Sequence, residues 1–77
     1  MVIVLSSSEK QRLMEPVNGE GGFQSLLRGL QQKLQADGHL NLSVDDLEKI
    51  PRYARKYKQG GYEDKLKAIF GNHLGIL

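Results

Sequence analysis

Apolar and polar positions alternate along this chain with two different periods, and the change of period marks out its elements. Val2-Ile3-Val4-Leu5 is a continuous, β-branched run that reads as a short buried strand. Ser6-Ser7-Ser8-Glu9 follows with capping-box spacing, which predicts a short helix to about Met14. Glu15 to Gly22 contains a proline and three glycines and reads as a loop. From Phe23 to Ala36 the period becomes helical. Phe23, Leu26, Leu27, Leu30 and Leu34 fall on one stripe, and Arg28, Gln31, Gln32 and Lys33 occupy the other sides. Asp37-Gly38 is the expected stop, with Gly38 suited to the left-handed conformation.

His39-Leu40-Asn41-Leu42 returns to alternation and suits a second short strand, whose backbone groups would be satisfied by pairing with Val2–Leu5. Ser43-Val44-Asp45-Asp46 then starts another helix, with Val44, Leu47, Ile50, Ala54 and Tyr57 as its apolar face. Pro51 interrupts this stretch, so a kink or a restart is expected there. A last helix from about Tyr62 carries Leu66, Ile69 and Phe70, and the tail from Gly71 to Leu77 is apolar enough to dock back on the core. The fold class expected is mainly α, a single small domain over 1–77. It has three to four short helices around Phe23, Leu26, Leu27, Leu30, Leu34, Leu47, Ile50, Ala54, Leu66, Ile69 and Phe70, with room for a minor two-stranded β element near the N-terminus.

Two segments resemble each other. Gly21-Gly22-Phe23-Gln24 and Gly60-Gly61-Tyr62-Glu63 lie 39 residues apart, each followed by leucine four residues after the aromatic and an aliphatic seven after it. Two copies fall short of a solenoid. The simpler reading is structural: each glycine pair turns the chain and each aromatic anchors a new helix. The alternative is anion binding at two glycine-exposed helix starts.

Size and charge narrow the function. At 77 residues the chain buries only about 60% of its unfolded surface, and without cysteine it has neither disulfides nor thiolate metal sites to reinforce it. Tight packing or oligomerisation is left to supply the difference. The apolar start is too short for a signal peptide and no segment suits a membrane span, so a cytoplasmic protein is expected. His39 and His73 are far apart with no second ligand at helical spacing, which gives no metal site, and no cofactor or small-molecule substrate is indicated. Asp45, Asp46 and Glu48 suit a helix start better than a catalytic dyad, and the serines suit caps, so no catalytic residues and no enzyme activity are expected.

Charge is unevenly placed. From Lys49 to Lys67 seven cations face only Glu63 and Asp64, a local balance of +5, and the rest of the chain carries −3. Lys49, Arg52 and Lys56 share the side of a helix opposite Leu47, Ile50 and Ala54, with Tyr53 at its margin. This face suits phosphate contacts, with base stacking on the tyrosine ring. Asp45–Lys49 and Glu48–Arg52 are also favourable one-turn ion pairs, and a plain solvated face is the simpler account of these charges. No helix-turn-helix is evident. As a working surface the charges give a nucleic-acid-binding protein using Lys49, Arg52, Tyr53, Arg55, Lys56, Lys58, Lys65 and Lys67. The rival is a protein-interaction module: a homodimer, or a small inhibitor or adaptor docking on a larger acidic partner.

Overall fold

The computed structural model describes residues 1–56 and 61–75, and of Lys56 only its place in a helix. Tyr57, Lys58, Gln59, Gly60, Ile76 and Leu77 lie outside the described residues. The elements run β1 (Val2–Val4), α1 (Ser7–Leu13), α2 (Gly22–Lys33), β2 (His39–Asn41), α3 (Val44–Lys56) and α4 (Tyr62–Leu74). The expected class, a small helical domain with a two-stranded sheet near the N-terminus, is the one observed.

The sheet is antiparallel, with Val2 opposite Asn41, Ile3 opposite Leu40 and Val4 opposite His39. Strand alternation sends Ile3 and Leu40 inward and leaves Val2, Val4, His39 and Asn41 outward. Backbone bonds extend the ladder at both ends, from Leu42 N–H to the Met1 carbonyl (2.7 Å) and from Leu5 N–H to the Gly38 carbonyl (2.8 Å). Gly38 takes φ +94°, and a Cβ there would stand 2.6 Å from the Leu5 carbonyl oxygen, so the turn into β2 admits only glycine without strain.

Ser6 caps α1 as its spacing requires. Its hydroxyl accepts from Glu9 N–H at 3.2 Å, and the Glu9 carboxylate accepts from Ser6 N–H at 2.8 Å. The same Oε1 of Glu9 meets His73 Nε2 at 2.9 Å, at the far end of α4. A carboxylate only accepts, so Nε2 carries the hydrogen. Burial pushes the Glu9 carboxyl up, but the bonds from His73 and Ser6 outweigh it and hold the group below its ordinary value. The α3 cap is built alike: Asp46 N–H donates to Ser43 Oγ (3.1 Å) and Ser43 N–H to Asp46 Oδ2 (2.9 Å). Asp46 is also buried, and Lys33 from α2 is bonded to it. Each buried carboxylate thus ties a helix start to a distant element.

The core comprises Ile3, Leu5, Leu13, Phe23, Leu26, Leu27, Leu30, Leu40, Leu42, Ile50, Ala54, Leu66, Ile69 and Phe70. Among the described residues no buried side-chain nitrogen or oxygen lacks a hydrogen-bond partner. Arg28 and Gln31, on the polar side of α2, pin the loop before it: Arg28 donates to the carbonyls of Val17 and Gly19, and Gln31 to those of Leu13 and Glu15.

Three expectations need correction. α2 stops at Lys33 rather than Ala36, because Leu34 turns extended (φ −65°, ψ 124°) and Gln35 N–H bonds the His39 carbonyl, closing the turn into β2. α3 does not restart at Pro51: one helix runs from Val44 to Lys56 with the proline inside it. Proline removes one backbone donor, and burial of Ile50 and Ala54 holds the turns on both sides of it. The tail docks on the core as expected as far as Leu74: Gly71 to Leu74 form the last turn of α4, closed by Gly75 at φ +75°, and Ile76 and Leu77 lie outside the described residues. Val44 is 85% exposed, and Leu34 and Leu47 are only partly buried.

Replacing Glu9 by alanine removes a cap and an interhelical bond together and is expected to cost about 2 kcal/mol in urea unfolding. Because Glu9 and Asp46 are both held below their ordinary values, their contribution is complete above about pH 5 and fades as pH falls through the lowered values. Urea midpoints taken from pH 5 to pH 3 should therefore fall for the native chain and fall less for Glu9→Gln.

Candidate functional site

The cations of the last third of the chain belong to α3, α4 and the connection between them, and α3 packs more extensively on α4 than on any other element. α3 carries its acids at its start and its cations toward its end, the order that its dipole favours. Lys49 pairs with Asp45 at 2.9 Å, and Arg52 pairs with Glu48, all four side chains exposed. The bond from Asp45 raises the Lys49 pKa, so the ammonium stays charged throughout the neutral range. Arg55 is exposed further along the same helix.

Lys65 and Lys67 do not extend this face as freely. Lys65 is mostly buried and reaches Glu15, in the loop after α1, at 3.4 Å; Lys67 pairs with Glu63 at 3.0 Å. Lys58 lies outside the described residues, and Lys56 is placed only as the last residue of α3. The structure therefore brings together Lys49, Arg52 and Tyr53, with Arg55 on the following turn.

Tyr53 joins this face to a hollow of about 200 Å³ lined by Gly21, Gly22, Phe23, Gln24, Tyr53 and Tyr62. Here the two glycine–aromatic segments meet. Phe23, the first buried residue of α2, stacks on Tyr62, the first residue of α4, with centroids 3.8 Å apart and planes 16° apart. Tyr53 meets Phe23 edge-on at 6.1 Å and 60°. Gln24 Nε2 donates to the Tyr62 hydroxyl at 3.2 Å. A Cβ on Gly22 would stand 2.0 Å from the Tyr53 hydroxyl oxygen, so the second glycine of the pair makes room for this ring.

Two helix starts, each carrying the positive end of a dipole, thus lie side by side. α4 offsets its own with Glu63 and Asp64, whereas α2 has no acid in its first turn and no side-chain cap. The hollow accordingly has aromatic walls and an amide on its rim. Sequence reasoning finds Tyr53 but leaves Phe23 and Tyr62 as separate anchors. The repeat itself is the available signal, since equivalent aromatics at equivalent helix starts can pair when those starts converge.

Among the described residues no three His, Cys, Asp or Glu side chains gather as a metal site would require. His73 is engaged with Glu9, and His39 Nδ1 lies 3.0 Å from Asp37 on the surface. No helix among the described residues is long and apolar enough to cross a membrane. Neither a family model nor a characterised protein nor a solved structure gives a significant match to the chain.

Exposed ion pairs add little to folding because water screens them. Lys49→Ala and Arg52→Ala should leave the urea midpoint close to that of the native chain. Lys33→Ala, which strips a buried carboxylate of its cation, should lower stability by about 1–2 kcal/mol.

Proposed function

We propose that the protein acts by binding, without chemistry of its own, and that its ligand is nucleic acid held by the cationic face of α3. The observation that carries this reading is the run from Lys49 to Lys58, in which five cations occur with no carboxylate, beginning on an exposed helical face with an aromatic-walled hollow at its margin. Phosphates need cations that can leave their present partners at small cost. The Lys49–Asp45 and Arg52–Glu48 pairs meet that need, being exposed and only one helical turn long. Such contacts read the backbone rather than the base sequence, so binding is broad in sequence and strongly dependent on salt. A chain without cysteine suits work in the reducing cytoplasm.

A second reading is favoured by a different observation. Val2 and Val4 on the outer face of the sheet are 61% and 52% exposed, which suits a protein-interaction module that covers this face by dimerising or by docking on a larger acidic partner. Sedimentation at high protein concentration separates the cases for self-association, since a strict monomer removes the homodimer.

Fluorescence-anisotropy titrations with random-sequence duplex DNA, single-stranded DNA and RNA at two salt concentrations test the first reading. Micromolar, salt-sensitive binding is expected. The double variant Lys49→Ala/Arg52→Ala should weaken it and lower the log–log salt slope by roughly 1.5 to 2, about 0.7–0.9 for each phosphate no longer neutralised. Binding with an unchanged slope in that variant, or no binding at low salt, would rule this face out.

A further inference from the structure

We infer that the hollow between α2, α3 and α4 seats one unstacked nucleobase, which gives the protein a base-dependent hold on single strands that duplexes lack. This inference rests on the nucleic-acid reading above and adds a second kind of contact to it.

The argument starts from the walls. Phe23, Tyr53 and Tyr62 contribute three rings to one small concavity, two of them stacked and the third set edge-on. At about 200 Å³ the space is smaller than the roughly 300–1,000 Å³ of sites that enclose drug-sized ligands, and it suits a single planar ring system. Gln24 places an amide on the rim, a group able to bond the polar edge of a base, and the glycines at 21 and 22 let the Gln24 and Tyr53 side chains close in on the backbone.

The surroundings then select among planar ligands. Tyr53 follows Lys49 by four residues, an angular offset of about 40° on α3, and Arg52 directly precedes it. A base in the hollow would therefore carry its flanking phosphates toward Lys49 and Arg52. Within a duplex the bases are stacked and paired, and none can enter. Stacking of this kind tolerates every base because each has a π-face.

Gly22 offers a way to disturb the hollow without changing charge. The Tyr53 hydroxyl occupies the space a Cβ at position 22 would take, so Gly22→Ala must displace the Tyr53 ring. Tyr53→Ala removes that wall altogether.

The test uses the full chain and three fluorescein-labelled 12-mers: a mixed-sequence single strand, its duplex, and an abasic strand of the same length and charge. The single strand is expected to bind about tenfold more tightly than the abasic strand, the gain typical of stacking one base on an aromatic. Gly22→Ala should bring the single strand down to the abasic level while leaving duplex and abasic affinities unchanged, and Tyr53→Ala should abolish the preference for the single strand over the abasic strand, with circular-dichroism melts confirming that both variants fold. Equal, salt-sensitive binding of base-bearing and abasic strands would overturn the base seat and leave the charge reading standing. Absence of binding by all three probes at low salt would overturn the charge reading, and the base seat with it.

Discussion

Phe23 is the contact on which the arrangement of three helices turns. Its ring stacks on Tyr62 and receives Tyr53 edge-on, so the starts of α2 and α4 and the last turn of α3 are referred to one side chain. Aromatic pairs in such geometries contribute about 0.5–1.5 kcal/mol beyond the area they bury, which matters in a domain with so small a core. The consequence is electrostatic as well as steric. Two positive helix ends are held together, and one of them carries Glu63 and Asp64 in its first turn while the other has no acid within its first turn.

Beyond its apolar core, the remainder of the molecule is fastened by two buried carboxylates. Glu9 bonds its own cap and His73, and Asp46 bonds its own cap and Lys33. Each carboxylate therefore joins a local signal, the capping box, to a partner far away in the chain. Packing gains specificity this way, because a displaced α4 or α2 would strand a buried charge. The exposed pairs on α3 differ in kind: both partners are wet and neighbours in sequence, which leaves their cations available to an incoming phosphate.

Much of the fold is legible in the sequence because its signals are local. The stripe of Phe23, Leu26, Leu27 and Leu30, the alternation at His39–Leu42 and the capping boxes at Ser6 and Ser43 each specify an element from a few adjacent residues. Boundaries are legible only where a local signal dominates. α2 ends early because the His39 carbonyl claims Gln35 N–H, a bond to the following strand, and α3 runs through Pro51 because burial of Ile50 and Ala54 outweighs one missing donor. Of the candidate site, the composition of the α3 face can be read directly. The burial of Lys65 cannot, since Glu15 lies 50 residues away from it, and the Phe23–Tyr62 stack is likewise a tertiary event that the repeat hints at without placing.

The central claim, that the Lys49–Arg52–Tyr53 face of α3 is a working surface, is tested most directly by mapping amide chemical-shift changes as a single-stranded oligonucleotide is added to isotopically labelled protein. The account predicts shifts concentrated at Lys49, Arg52 and Tyr53 and at Gly22 and Phe23 across the hollow, with Val2–Val4 undisturbed. Shifts confined to β1, or none at saturating oligonucleotide and low salt, would contradict it.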